Sequence, residues 1–466
     1  MTGPVSSEQL ELYGSLVPTQ EHKVVGTADL SVHSVAGITA LHRYSSQIDR
    51  LNLASTRPNP FLSAAFLQCY ALRMEYYTPG TEERLFLVWD NNQLIGCAPM
   101  RLSIENLGIA SAPLRFRRGR LQLLAVLDTE RPGILSAPQD AERVAKALIR
   151  HICDHERGWG MLEFAGQLPG TALHRAVYAS ASAKFRAREI KVEPYNEITV
   201  IWKDLPAYFR SLAKKMRSNI SRQARRLFKA GELELIFAEG ASAVTNWFEA
   251  YCELDARSWK HGTAASIQRH PRRKRFYQEI VGGNGGLDPS FIGVILDGVL
   301  IAGLIGGSNA TAAPLCHGSW CLEMAYDQSR ADLGPGQMLL LLAVARAIEK
   351  GHGHLNFMQS FAYYKHRWGA EPIHVVNLQL IRRVSLHNLR ASLGELRKRL
   401  RRPAKRRAIM PEEENESQIG APESILTLPD QQRARDLCAG ALAYAGSGMS
   451  WLNCARARAY LPFETE

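Results

Sequence analysis

One short pattern occurs twice in this chain. Gly158-Trp159-Gly160-Met161-Leu162-Glu163-Phe164 and Gly351-His352-Gly353-His354-Leu355-Asn356-Phe357 share the frame G-x-G-x-L-x-F, and each follows an apolar helical stretch. Upstream of each lies a pair of apolar runs around a tight polar turn, at 86–100 and 292–306. Two landmarks in the same order, repeated at a long interval, point to a duplicated domain. A length of 466 residues agrees, since it exceeds what one hydrophobic core usually serves.

The second copy is the more legible. Leu233 to Ala238 reads as a strand, and 241–260 and 272–281 read as helices. Two strands follow, joined at Asp297-Gly298, a hairpin turn signal. A fourth strand is expected near Ser319 to Tyr326, and Gly334-Pro335-Gly336 opens a helix that runs to Lys350. A strand at 354–360, a short helix at 363–368 and a strand at 374–383 complete the order β-α-α-β-β-β-α-β-α-β. The first copy reads similarly from 27 to 203, with a strand near Leu30, helices at 38–51 and 60–74, and the hairpin. A strand at 120–126, helix 139–156, strand 161–166, helix 171–184 and strand 195–202 follow. The fold class is therefore α/β, with a mixed twisted sheet flanked by helices in each copy.

Charge narrows the partners. The net charge is +12, yet Arg210 to Lys229 holds eight Lys/Arg and no acid, and Arg382 to Arg407 holds eleven with a single Glu. Those two segments carry more than the whole excess, so the rest of the chain is mildly acidic. The first segment, expected as a helix over 208–230, spaces apolar residues at 209, 212, 216, 220, 224 and 227, one stripe for packing and one face of cations. That face either binds an anion or is simply solvated. The second run reads as a basic tail in loose contact with a membrane surface or polyanion. An acidic linker closes the 385–429 segment, and 430–466 reads as Ala/Arg-rich helix.

No run approaches the length of a membrane-spanning helix, and residues 1–26 lack the basic start and apolar stretch of a secretory signal, so a cytoplasmic protein is expected. The eight cysteines form no C-x-x-C pair, which fits reduced, buried thiols. Cys316, His317 and Cys321 come closest to a metal-ligand set, but no fourth ligand stands at a recognised spacing. They read as strand packing, and no metal is expected.

Three further matches carry a resemblance: Ala256-Arg257-Ser258-Trp259 on the helix after the first strand, Tyr326-Asp327 ahead of Gly334-Pro335-Gly336, and Tyr364-Lys365 after the strand Leu355 to Gln359. With the strand order, they make residues 30–383 resemble the GNAT acyltransferase fold. More specifically, the chain looks like the tandem, FemAB-like branch that includes cellulose-biosynthesis (CelD)-type acetyltransferases. The resemblance implies two tandem GNAT-like domains, 27–203 and 204–384, the second catalytic and the first structural or acceptor-binding. It implies acyl-CoA, acetyl-CoA for example, as donor, and an amine or hydroxyl, such as that of a saccharide or cell-envelope precursor, as acceptor.

In that frame Arg330, Gly334, Gly336 and Gln337 are the candidates for gripping the donor's pyrophosphate, since N–H groups at a helix start point at an anion with the dipole behind them. Pro335 at N1 between turn glycines is equally the pattern of a simple cap. Tyr364 sits where a phenol can protonate a leaving thiolate, and Lys365 can stabilise negative charge; both are also ordinary packing residues. Asp327, with Glu323 nearby, is the candidate base or a turn cap. Arg257, Trp259, Lys215 and Arg222 are the candidate acceptor contacts, with core packing the other reading for Trp259. Relatives carry Asp-Phe-x-x-Gly-Asp where this chain has Asn356 to Phe361, so a proton acceptor is absent at Asn356. Two alternatives follow: an aminoacyl-tRNA-dependent FemAB-like ligase, which would bind tRNA, and a non-catalytic double-GNAT scaffold in exopolysaccharide assembly.

Overall fold

The computed structural model describes residues 22–385 apart from 27–29, 38, 57, 74–80, 109–114, 125–128, 264, 310–317 and 360–362. The N-terminal tail to residue 21, most of the basic run 382–407, the linker, the tail 430–466, Cys316 and His317 lie outside the described residues.

The chain is a mixed α/β structure built on two mixed sheets flanked by helices. The first contains β1 (His22–Gly26), β2 (Leu30–Ala36), β3 (Thr81–Asp90), β4 (Gln93–Gly108), β5 (Arg115–Leu123), β7 (Met161–Gln167), β16 (Val376–Arg382) and β8 (Phe185–Lys191) in that spatial order, with β6 (Leu135–Ser136) on β4. The second runs β10 (Leu233–Glu239), β11 (Asp288–Leu296), β12 (Val299–Ser308), β13 (Gly318–Tyr326), β14 (His354–Gln359), β9 (Tyr195–Thr199) and β15 (Glu371–Ile373). From β2 and from β10 onward the two orders correspond strand for strand. The repeated G-x-G-x-L-x-F motif leads into β7 and β14, the corresponding central strands.

The correspondence includes an exchange that the sequence reading did not foresee. The strand expected at 195–202 to finish the first copy is β9, and it pairs antiparallel with β14 in the second sheet. The strand expected at 374–383 to finish the second copy is β16, and it pairs with β7 and β8 in the first. Hydrophobic pattern places a strand in a sheet but does not name the sheet, because both interiors accept the same residues. Strand β8 was missed altogether: its alternation of Arg, Glu and Lys with apolar residues, FRAREIK, reads as exposed loop and is the pattern of a half-solvated edge.

Helix boundaries shift for local reasons. The basic helix breaks into α6 (Leu205–Ser211) and α7 (Lys214–Ala230), with Leu212 extended between them. Met216, Ile220, Ala224 and Leu227 form the buried stripe of α7. Helix α8 (Ala241–Arg257) stops before Ser258, which leaves Trp259 on the following turn. The stretch 38–51 is two helices, α1 (Thr39–Arg43) and α2 (Ser45–Ala54), and 60–74 is a 3-10 turn followed by α3 (Ala64–Arg73). Helix α4 (Ala141–Asp154) covers one face of the first sheet; α5 (Ala172–Ala179) is shorter than the 171–184 expected. At the hairpin joining β11 to β12, Asp297 and Gly298 take φ 51° and 74°, the paired positive values that a two-residue turn requires, and Asp297 Oδ1 accepts the Glu232 N–H at 2.8 Å.

One hydrophobic core spans both halves. Phe66 of α3 meets Phe276 of α9 (Pro271–Val281) edge to face at 5.7 Å, and Phe61 meets Trp320 of β13 in the same manner at 5.7 Å. Each such ring contributes roughly 1.5–3 kcal/mol on burial. On the other face of the second sheet, α10 (Pro335–Glu349) lies between the sheet and α7, which accounts for its being apolar nearly all round. Among the described residues no helix is long and apolar enough to cross a membrane.

Candidate functional site

Strands β13 and β14 run parallel for only three residue pairs, Gly318–Trp320 against His354–Asn356. Beyond them the strands separate, and a local irregularity in each accounts for it. On β13, Leu322 is an extra residue opposite the Ile305/Gly306 step of β12, a β-bulge that bends the strand. On β14, Met358 adopts φ 59°, a left-handed value uncommon outside glycine, and its N–H is accepted by Asn356 Oδ1 at 2.7 Å. The gap is a cleft of about 200 Å³ walled by Trp259, Glu323, Leu340, Met358, Tyr364 and Lys365, among others.

The cleft is charged on one wall. Glu323, 5% exposed, forms ion pairs with Lys260 and Arg273 and faces the Tyr277 hydroxyl at 3.4 Å. A carboxylate held by two buried cations is strongly committed, since removing one member of such a group leaves an unpaired charge in low dielectric. Opposite, Lys365 is 3% exposed and donates from Nζ to the carbonyls of Phe357 at 2.8 Å and Met358 at 3.3 Å, which pins the kink in β14. Burial pushes its ammonium down to about 8. Although 36% of Tyr364 is exposed, its phenol is pushed up to about 12, by burial first and then by the neighbouring Cys321 and Tyr326 groups. It is therefore a proton donor at neutral pH and not an acceptor.

The glycine loop stands at the start of α10. Gly334 takes φ 67° to close the 3-10 turn 328–333, and Pro335 occupies the first helical position. A Cβ on Gly334 would lie 2.4 Å from the Gln223 side chain of α7, and one on Gly336 would lie 3.2 Å from the Tyr326 ring. The Gly334 N–H is used by Ala331 and the Gln337 N–H by the Gly334 carbonyl, both at 3.0 Å. Pro335 has no N–H. The Gly336 N–H is thus the one donor of the loop without a main-chain acceptor among the described residues.

Of the residues singled out in the sequence, Trp259, Tyr364 and Lys365 come together in the cleft, with Gly334, Gly336 and Gln337 at the mouth of α10. Trp259 is 51% exposed and belongs to the cleft wall, not to the core. Asp327 accepts hydrogen bonds from the Ser329 N–H at 2.9 Å and Oγ at 2.6 Å, and pairs with Arg257 at 3.4 Å. Desolvation works against its charge, but the Ser329 bonds and Arg257 hold the carboxyl below its ordinary value. Asp327 and Arg257 sit beyond the end of the cleft, where Asp327 caps a turn and Arg257 also donates to the Leu300 carbonyl at 3.2 Å. Arg330, Lys215 and Arg222 are exposed outside it, Arg222 donating to Asn219 at 2.8 Å. Sequence reasoning missed Lys260 and Arg273. The available signal was Glu323 itself, an acid in an apolar strand that needs buried cations. Among the described residues no group of His, Cys, Asp or Glu is placed to hold a metal ion.

Residues 214–366 match the acetyltransferase (GNAT) domain family. The matched segment runs from α7 through the glycine loop to the Tyr364-Lys365 pair, so it contains the whole cleft. No curated protein matches the chain. Among solved structures, FemX shares 11% identity over 75% of this chain and 98% of its own, with a TM-score of 0.49. A tandem GNAT protein from the clavulanic acid biosynthesis pathway shares 13% over 75% and 98%, at 0.41. The Saccharomyces cerevisiae N-myristoyltransferase shares 11% over 82% and 83%, at 0.34.

Proposed function

We propose that the chain is an acyltransferase that moves an acyl group from acyl-CoA to an amine or hydroxyl, with its active centre in the splayed cleft of the second sheet. The separation of β13 and β14 beside the glycine loop carries this reading. It makes a slot in a sheet whose lining includes Leu340 of α10, one turn along from Gly336, whose N–H has no main-chain acceptor among the described residues. The residues fit the donor: Gly336 and the start of α10 would receive its pyrophosphate, with Arg330 and the cations of α7 outside. Bound acyl-CoA supplies an activated thioester carbonyl.

The chain's own groups then divide the work. Lys260, fixed by Glu323, brings positive charge to the wall where an oxyanion would develop, and the bulge at Leu322 frees a main-chain N–H from the ladder on the same wall. As the acceptor's nitrogen or oxygen bonds to the carbonyl carbon and the carbon–sulfur bond breaks, Tyr364 donates its proton to the departing sulfur. Glu323 is engaged by Lys260 and Arg273; the acceptor's proton is assigned to solvent. Lys365 holds the Phe357 and Met358 carbonyls and positions the cleft.

Thiol release from acetyl-CoA with a panel of amine and sugar acceptors tests this. Tyr364→Phe should lower kcat by about 10²-fold with little change in KM. Turnover that is undiminished in that variant would overturn the assignment of Tyr364. A second reading, an aminoacyl-tRNA-dependent ligase, is favoured by one observation: α7 exposes Lys214, Lys215, Arg222, Arg226 and Lys229 with no acid in the helix. It requires tRNA binding that weakens steeply with salt.

A further inference from the structure

The first sheet repeats the splay. Strands β5 and β7 pair in parallel for three residues only, Arg120–Gln122 against Met161–Glu163, as β13 and β14 do. Beside the end of β7 lies a cavity of about 280 Å³, walled by the first turns of α4 at Ala141 and Ala145, the end of β7 at Gly166 and Gln167, and the start of α5 at Thr171. Its chemistry differs from that of the transferase cleft. No glycine pair opens α4; Asp140 at its N-cap and Glu142 in its first turn are ion-paired with Arg143 and Arg175, so the helix start offers a phosphate no excess positive charge. A phosphorylated donor is disfavoured.

What lines the cavity instead is a fixed polar loop. Asn59 Nδ2 donates to the carbonyls of Glu130 at 2.7 Å and Arg131 at 3.2 Å, and Gln167 Nε2 donates to the Pro132 carbonyl at 2.5 Å. Arg131 is held at φ 46°, a conformation that costs of order 1–3 kcal/mol and persists because its surroundings impose it. The loop presents Glu130, 1% exposed, which forms an ion pair with Arg131 and accepts from the Trp320 indole of the second sheet. Glu130 and Arg131 cancel. The remaining polar lining is hydroxyl and amide, from Ser55, Ser136, Thr171, Asn59 and Gln167, and the rest is apolar, with Leu62, Leu173 and Trp320. No net charge selects an ion; Asn59, Gln167, Ser55 and Thr171 spend their donors on main-chain carbonyls, so the lining offers a ligand chiefly acceptor oxygens beside an apolar wall.

We propose that this cavity is a second ligand site, distinct from the transferase cleft, for a neutral polyhydroxylated ring of monosaccharide size. The volume sits at the lower edge of small-molecule pockets, roughly 300–1,000 Å³, and matches one ring better than a chain. The buried carboxylate of Glu130 keeps unused lone pairs that can accept from hydroxyls, and the apolar wall receives the ring's C–H face.

Saturation-transfer NMR on the full chain, with N-acetylglucosamine and glucose as neutral probes and glucosamine and glucuronate as charged ones, tests the site without any acyl donor. The expected result is saturable binding of a neutral probe, about tenfold tighter than either charged one, a difference of ~1.4 kcal/mol. Ser136→Leu, at a half-buried position, and Ala145→Leu, in α4, should each weaken it at least about tenfold by filling the cavity. Absence of saturable binding, equal or tighter binding of a charged probe, or unchanged affinity in Ser136→Leu with an unaltered melting curve would each overturn the proposal.

Discussion

The side chain of Asn356 accepts the backbone N–H of Met358, two residues along the same strand, at 2.7 Å, and so holds the left-handed turn at which β14 leaves β13. The same side chain donates from Nδ2 to Glu197 on β9 at 3.3 Å. The amide is therefore what the position requires: one atom must accept and the other donate, which a carboxylate cannot do.

Asn356→Asp should accordingly not raise activity. It keeps the acceptor for Met358 but sets a second carboxylate against Glu197, and we expect a loss of about 1–3 kcal/mol in stability that is relieved on acidification. Asn356→Ala loses both bonds and should cost a similar amount at every pH. Urea unfolding of both variants at pH 5 and pH 8 separates the two patterns; equal losses at both pH values for the aspartate variant would contradict the account.

Lys365 sets a pH dependence of the opposite sign. Its ammonium ordinarily titrates near 10.5 and is pushed down to about 8 in the folded chain. Between those values the unfolded chain binds a proton that the folded chain does not, so this residue's contribution makes stability rise with pH from about 8 to 10.5, by up to ~1.4 kcal/mol per pH unit. Chemical unfolding across that range should show the rise in the wild type and lose it in Lys365→Met. A wild-type profile that falls or stays level, with the variant identical, would count against the buried ammonium.

Glu323 is the shared partner of two buried cations. Glu323→Ala should destabilise by about 3–5 kcal/mol, because Lys260 and Arg273 are then left unpaired in the core. Thermal unfolding reads this directly, and a shift below one or two degrees would show that the cations find solvent instead.

The glycine loop is also set by contact with α7. Gly334→Ala places a Cβ at 2.4 Å from the Gln223 side chain and in a left-handed conformation, and is expected to cost about 1–3 kcal/mol. The double variant with Gln223→Ala should recover the part due to the clash and leave the part due to φ. No recovery at all would mean that α7 does not press on the loop.

These relationships also show what the sequence made legible. Element order was readable because it depends on local patterns: the Asp297-Gly298 turn, the apolar α10, and the motif repeated before β7 and β14. The exchange of β9 and β16 was not, because a five-residue strand such as YNEIT carries no label for its sheet. Within the cleft, Tyr364 and Lys365 were singled out from their place after β14, and Trp259 from the Ala256–Trp259 match expected on the helix that ends as α8. Lys260 and Arg273 were hidden because their meaning lies in Glu323, more than fifty residues away in the case of Lys260 and fifty for Arg273. The kink at Met358 was hidden for another reason: no glycine marks it, and the Asn356 and Lys365 side chains hold the conformation.

The most direct test of the account is calorimetric titration of the full chain with acetyl-CoA, for the wild type and for Met324→Trp, which puts an indole into the half-buried lining of the cleft. The account predicts saturable binding in the micromolar range, typical of enzyme substrates at roughly 1 μM–1 mM, that is lost in the variant while its melting curve is kept. No heat of binding in the wild type, or the same affinity in a folded Met324→Trp, would contradict the claim that the gap between β13 and β14 receives the donor.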